Sequence, residues 1–263
     1  MSSLERRVAV DVARAAGHLL RDEVSGVRRI AYKGMPTNLV TEMDQRAEAE
    51  ILARLRGAFP DDAILSEEHG VAAAGSSGRR WIVDPLDGTT NYAHGLPVFG
   101  VSIALQAGRR VVLGVIYDPS RDELFVGERG RGATLNDAPI RVSATASLDE
   151  SLLATGFPYN IRETAENNFG QYELLSLRSQ GVRRMGSAVI YLAYVAAGRL
   201  DGYWELRLGA WDAAAGSLLV EEAGGRVTGI TGEPLDLDAP SIMATNGRIH
   251  GEMLRALQEV ARR

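Results

Sequence analysis

Residues 98–143 read VFGVSIALQAGRRVVLGVIYDPSRDELFVGERGRGATLNDAPIRVS, a succession of apolar or alternating runs cut at short intervals by turn chemistry. The runs VFGVSIAL, RRVVLGVIYD, ELFVGERG, GATLN and PIRVS are of strand length, and Gly108-Arg-Arg and Asn136-Asp-Ala-Pro139 are turn sequences between them. Strands this close in sequence pair through tight turns, because a parallel crossover needs a dozen or more residues. The spacing therefore predicts an antiparallel meander.

Immediately upstream, WIVDPLDGTTNY (residues 81–92) starts with Trp81, Ile82 and Val83, a continuous apolar run expected of a strand covered on both faces. Taken alone, the segment from Asp84 to Gly88 reads as a tight turn, since Pro85 suits the second position of a type I turn and Asp87-Gly88 is common turn chemistry. The alternative is chemical. Asp84, at the end of a buried strand, needs a partner, and Gly88 to Asn91 can open a helical turn whose free N–H groups favour an anion. Carboxylates beside such a backbone make sense with a divalent cation between them.

Further upstream, Leu4, Val8, Val12, Ala15 or Ala16, and Leu19 fall at helical spacing and predict a helix over 3–23, with a second from about Thr41 to Ala58. The stretch AYKGMPTNLV between them reads as a Gly and Pro loop; AILSEEHG gives a short strand ending on Glu67 and Glu68, and Val71 to Arg79 an exposed loop. Helices on an antiparallel sheet make the first half α+β. From about Ser151 the rhythm is strand then helix: SLLATGF, a helix near 164–180, GVRRMG, a helix from Ser187 to Ala197 stopped by Gly198, then LDGYWEL. A helix from Trp211-Asp212 ends at Gly224 and Gly225, RVTGIT and SIMATN are strands, and Met253, Leu254, Leu257 and Val260 mark a last helix. That alternation predicts an α/β second half, with the division at 1–146 and 147–263.

With no cysteine, the chain has no disulfides, thiolate ligands or cysteine nucleophile. A net charge of −5 and only short basic runs, Arg183-Arg184 and Arg129-Gly-Arg131, argue against a large nucleic-acid surface. Neither an apolar leader nor a membrane-length apolar run is visible, so a cytoplasmic protein is expected. His18, His69, His94 and His250 lack ligand spacing and read as surface or packing residues; Tyr159 and Trp204 read as core or rim.

Four acids follow strands or begin helices at one shared edge: Glu67, Asp84, Asp87 and Asp212. Each has a plainer reading, Glu67 and Glu68 as solvated loop acids and Asp212 as a helix cap. Together they form an all-oxygen donor set, which selects Mg²⁺, Mn²⁺ or Ca²⁺ over zinc.

SEEHG, WIVDPLDGTTNY and AWDAAAG, in that order, resemble the three signature segments of the inositol monophosphatase family of Mg²⁺-dependent, lithium-sensitive phosphatases. KGMPTNLVTEMDQRAE, GVIYDP with GERGRGATLND, and EEAGGRVTGITGEPLDL with MATN extend the resemblance over nearly the whole chain, and LATGFPYNIRE is similar to the bacterial members. The fold so implied is a layered αβαβα sandwich, an antiparallel sheet with helices followed by a mixed α/β sheet.

Position by position, the resemblance implies that Glu67, Asp84 and the carbonyl of Leu86 hold one Mg²⁺ and that Asp84, Asp87 and Asp212 hold a second, with a third ion or Mn²⁺ allowed. Glu67, Thr89 and Asp44 are the implied catalytic residues: Thr89 binds the attacking water, and Asp44 accepts its hydroxyl hydrogen. Lys33 and Glu68 are implied near the metals. Activated water attacks in line while the second ion stabilises the leaving alkoxide, with no covalent phosphoenzyme. Asp87, Gly88, Thr89 and Asp212 border the phosphate, and Gly186, Ser187, Ala188 and Glu205 the sugar or cyclitol. Where many members carry a polar side chain, this chain has Leu208, Gly209 and Ala210. Inositol 1-phosphate is the favoured substrate, ahead of fructose 1,6-bisphosphate or other sugar phosphates. Histidinol phosphate comes next, since enzymes for it tend to carry an aspartate where Ser187 stands. The competing class is a non-catalytic protein contacting RNA or a transcription complex through Arg129, Arg131, Arg183 and Arg184. A homodimer is expected from the resemblance.

Overall fold

The computed structural model describes residues 3–24, 26, 30–32, 35, 39–238 and 241–261. The chain runs α1 (Ser3–Glu23), β1 (Ile30–Tyr32), β2 (Leu39–Thr41), α2 (Glu42–Ala58), β3 (Ala63–Ser66), β4 (Gly70–Ala73), β5 (Arg79–Asp87) and α3 (Thr89–Ala93). The meander comes next as β6 (Gly100–Ala107), β7 (Arg110–Asp118), β8 (Glu123–Glu128), β9 (Gly132–Leu135) and β10 (Ala138–Pro139). Then come β11 (Leu152–Thr155), α4 (Phe169–Arg178), β12 (Gly181–Arg183), α5 (Ala188–Ala196), β13 (Gly202–Glu205), α6 (Ala210–Glu222), β14 (Arg226–Gly229), β15 (Ile242–Thr245) and α7 (His250–Ala261).

The expected meander is the body of an eight-stranded sheet, ordered β10-β9-β8-β7-β6-β5-β3-β4. Its neighbours pair antiparallel except β3 with β5. That exception builds the site: the β3–β4 hairpin turns outward and the chain returns to lay β5 along the inner side of β3, so both strands end at one edge. Ser66 pairs with Val83, which brings Glu67 beside Asp84. A second, five-stranded sheet is mixed, in the order β12-β11-β13-β15-β14.

One face of the large sheet packs on α1 and α2 through residues such as Val12, Leu20, Ile51, Leu55, Trp81, Val83 and Tyr117. Its other face meets α5 and α6, which in turn cover the small sheet through Ile190, Leu192, Leu218, Leu219, Tyr203 and Ala244. Outside the small sheet, α4 and α7 bury Leu174, Leu175, Met253 and Leu257 against Trp204 and Met243. The result is the αβαβα sandwich.

Several sequence expectations are corrected. The stretch 81–92 is not a type I turn, and Asp84 does not end its strand. β5 continues to Asp87 across a bulge, because Asp84 pairs with Ser102 and Asp87 with Gly100, leaving Pro85 and Leu86 opposite Val101 alone. A bulge is where a residue without an N–H is tolerated in a central strand. The loop expected over 71–79 begins as β4, whose backbone completes the free edge of β3. The helix expected near 164 starts only at Phe169, since Asn168 is held at φ 70° by a side chain bonded to Thr155, Gly156 and Trp204. Of PIRVS, Pro139 is paired in the sheet and Ile140 still donates to the Ala133 carbonyl of β9 (3.0 Å), but Val142 donates to the Ala223 carbonyl at the end of α6 (3.2 Å). Part of the expected 31–40 loop forms the β1–β2 hairpin, and Lys33 lies outside the described residues.

Candidate active site

Carboxylates meet where the bulge of β5, the end of β3 and the start of α6 converge. One oxygen each from Asp84, Asp87 and Asp212 lies within 4.8 Å of the others. Asp84 is 1% exposed; its Oδ1 accepts from the Leu86 N–H (3.0 Å), whereas its Oδ2 is buried with no hydrogen-bond partner. Burial, then the charges of Glu67, Asp87 and Asp212, hold its pKa well above the usual carboxylate range. Asp87 accepts at Oδ2 from the Ser187 hydroxyl and the Val189 N–H (3.1 Å); burial still pushes it up to about 6. Asp212 sits in the first turn of α6 and accepts from the Gly209 N–H (2.6 Å), so it caps the helix and faces the cluster at once. Burial, then Asp87 and Glu67, raise it well above the ordinary value.

A buried acceptor without a donor, among other acids, is costly unless a cation takes the donor's place. All-oxygen chemistry and this orphaned oxygen fit a hard divalent ion. The Leu86 carbonyl lies in the same bulge, and Leu86 itself is fully buried.

Thr89, the first residue of α3, extends the cluster towards α2. Its Oγ1 lies 2.9 Å from Asp44 Oδ1 and 3.0 Å from the Leu86 carbonyl, although one hydroxyl has one hydrogen to give. Asp44 is buried and also accepts from the Thr41 N–H (2.7 Å) and hydroxyl (2.6 Å), completing a capping box on α2. Burial raises its pKa against these hydrogen bonds, and the charge of Glu68 adds to the rise. Gly88 precedes α3 at φ 87°, where a Cβ would come within 2.9 Å of the Val98 carbonyl. Only glycine takes that conformation and proximity without strain.

The other wall comes from the small sheet and α5. Gly186 is exposed at φ 84°, while Ser187, the N-cap of α5, and Ala188 are buried. The Ser187 hydroxyl is engaged by Asp87. Glu205 ends β13, accepts from the Tyr203 hydroxyl (2.7 Å), and is pushed up to about 7 by burial; Arg184 opposes the shift. Arg184 also lies over the Phe157 ring at 4.8 Å. Trp204 is core, whereas Tyr159 is 53% exposed. Burial of its hydroxyl end, then the Glu67, Asp212, Asp87 and Asp84 charges, hold the Tyr159 phenol well above its ordinary value.

Two functional neighbours escaped the sequence reading. Asn91 donates to the Val98 (2.8 Å) and Met185 (2.6 Å) carbonyls and ties α3 to the Gly186 loop; as the last polar residue of DGTTN it was the available signal. Gly156 faces Glu205 so closely that a Cβ would lie 2.1 Å from the carboxylate. Nothing in SLLATGF marks it.

The model of the inositol monophosphatase family matches residues 3–262. An inositol-1-monophosphatase of Synechocystis is 48% identical over 95% of this chain and 87% of its own length. A Pseudomonas aeruginosa protein named Nus factor SuhB is 42% identical over 95% of this chain and 94% of its own. The structure of an Anabaena inositol monophosphatase superposes with a TM-score of 0.88 at 46% identity, covering 96% of this chain and 94% of that one.

Proposed function

Because the chain belongs to the inositol monophosphatase family, we propose that it is a Mg²⁺-dependent phosphomonoester hydrolase whose preferred substrate is inositol 1-phosphate. The observation that carries the reading is the buried, unpartnered Oδ2 of Asp84 among the carboxylates of Asp87 and Asp212. Glu67, Asp84 and the Leu86 carbonyl would hold one ion, and Asp84, Asp87 and Asp212 another. Bound there, Mg²⁺ supplies charge neutralisation, an acidified water and stabilisation of the leaving alkoxide.

The chain's own part starts from Thr89. Given to Asp44, the single Thr89 hydrogen leaves the Leu86 carbonyl available to a cation and a lone pair of Oγ1 that would accept from the attacking water and aim it. Gly88 and Thr89 begin a helix, and their N–H groups would receive phosphate oxygens where no side chain blocks approach. Ser187 and Val189 orient Asp87. Glu205 would accept from a substrate hydroxyl at the Gly186 edge. With Leu208, Gly209 and Ala210 offering no polar side chain, fructose 1,6-bisphosphate and other sugar phosphates are the next substrates, then histidinol phosphate. Lithium sensitivity and homodimers are typical of the family.

A non-catalytic role in a transcription complex is the second reading, supported by relatives named Nus factor SuhB. Against a free basic surface, Arg129 pairs with Glu221 (2.6 Å), Arg131 approaches Glu128 (3.6 Å) and Arg184 covers Phe157. Among the described residues no helix is long and apolar enough to cross a membrane; a cytoplasmic location is part of the same proposal.

The test is phosphate release from myo-inositol 1-phosphate, fructose 1,6-bisphosphate and histidinol phosphate with Mg²⁺, EDTA or added Li⁺, and with Asp87→Asn. Metal-dependent, Li⁺-inhibited release abolished in the variant supports the reading, and the ranking identifies the substrate. No release from any of them by folded, Mg²⁺-binding protein refutes it.

A further inference from the structure

One buried carboxylate has no part in the proposed hydrolysis. Glu48 lies one helical turn after Asp44 on the same face of α2, and both are fully buried. Asp44 is committed to Thr41 and Thr89. Glu48 reaches instead to the loop after β3: Oε1 accepts from the Ser66 hydroxyl, and Oε2 pairs with His69 Nδ1. Ser66 and His69 flank Glu67 and Glu68, so a single carboxylate grips both ends of the segment that carries Glu67. The main chain of Glu67 is tied to β5 by its N–H, which donates to the Val83 carbonyl (3.2 Å).

We infer that Glu48 is a positioning residue for Glu67: by clamping Ser66 and His69 it fixes the turn that points Glu67 at Asp84 and so sets cation affinity on that side of the site. The inference rests on the proposed role of Glu67 as a ligand. The clamp joins a rigid helix to a short turn, the arrangement by which outer groups orient metal ligands, and removal of such groups costs about 10–100-fold in affinity. It also makes α2 a double support, holding Thr89 through Asp44 and Glu67 through Glu48.

The experiment is Mn²⁺ binding without substrate, monitored by the EPR signal of free Mn²⁺, for wild type, Glu48→Ala, Glu48→Gln, Ser66→Ala and His69→Ala, with circular dichroism as the fold check. His69 has a side chain 62% exposed, so its truncation leaves the core untouched. Affinity should fall about tenfold in Glu48→Ala and measurably in His69→Ala and Ser66→Ala. Glu48→Gln should recover part of it, because the amide oxygen still accepts from Ser66. Phosphate release should return towards the wild-type rate at saturating Mg²⁺, which a general loss of structure would not allow. Unchanged Mn²⁺ affinity in folded Glu48→Ala overturns the clamp; if that variant does not fold, unchanged affinity in both Ser66→Ala and His69→Ala does so. Wild-type protein without Mn²⁺ affinity overturns the cation site as well, so the two failures are distinguishable.

Discussion

Replacing Asp84 with asparagine should stabilise the metal-free protein while abolishing its response to metal. Asp84 is 1% exposed and spends only Oδ1, on the Leu86 N–H at 3.0 Å. Asparagine can keep that bond and place its NH₂ where the unpartnered Oδ2 stands, facing the Asp87 and Asp212 oxygens that lie within 4.8 Å. An acceptor among acceptors becomes a donor among acceptors. A hydrogen bond to a charged group contributes about 1.5–3 kcal/mol, and 1 kcal/mol moves the midpoint of a chain this long by about 2–4 °C, so Tm in EDTA should rise by roughly 3–12 °C. The wild type recovers part of this by protonating Asp84, whose pKa is raised by burial and by Glu67, so the difference should be largest at mildly alkaline pH. Mg²⁺ at about a thousand times its Kd should reverse the order, since it then adds about 4.1 kcal/mol to wild type alone. Differential scanning calorimetry in EDTA and in Mg²⁺ reads both effects. A Tm in EDTA below that of wild type would refute the reasoning, because Asp84 would then be a satisfied structural acid.

Other perturbations separate the remaining parts. Asp44→Ala, which removes the acceptor of the Thr89 hydroxyl hydrogen, should lower kcat by about 10²-fold with the Mg²⁺ half-saturation of phosphate release little changed; an unchanged kcat in folded protein would remove Asp44 from the mechanism. Gly156→Ala, whose methyl would lie 2.1 Å from Glu205, should displace that carboxylate and raise KM for inositol 1-phosphate roughly tenfold at nearly constant kcat. An equal fall in kcat would contradict a role confined to substrate binding. His250 is 1% exposed between the Thr228 (3.2 Å) and Thr245 (2.9 Å) hydroxyls, and burial pushes its pKa from 6.5 down to about 4. The folded value is depressed, so the unfolded chain binds more protons in this window. Its stability contribution is present above pH 6.5 and lost as pH falls through about 4, amounting to about 3 kcal/mol. Urea midpoints of wild type and His250→Gln should diverge across that window; parallel curves would disprove it.

How much could be read beforehand differs from element to element. The runs at 98–135 were legible as strands because each is short, apolar and bounded by turn residues. The helices over 3–23 and 42–58 were legible from their periodicity. PIRVS misled because its alternation is that of a strand, while the chain leaves the sheet after Ile140 and bonds the end of α6 through Val142. β4 was missed because GVAA has little strand character of its own; it is a strand because β3 presents an unpaired edge. The start of α4 was misplaced because Asn168 is committed to distant partners on β11 and β13.

For the candidate site, the sequence by itself determined the chemical kind: acids and no cysteine, a glycine before a helical turn, and a proline between two aspartates. These are properties of single residues and near neighbours. Tertiary structure alone decided that β3 runs parallel to β5 and sets Glu67 beside Asp84. It also turned the Asp84 to Asp87 step into a bulge rather than a turn, and engaged Ser187 with Asp87. The same packing placed Glu48 under the loop that carries Glu67. The physical reason is that periodicity records which face of an element is buried, whereas these contacts depend on which elements are laid side by side and in what register.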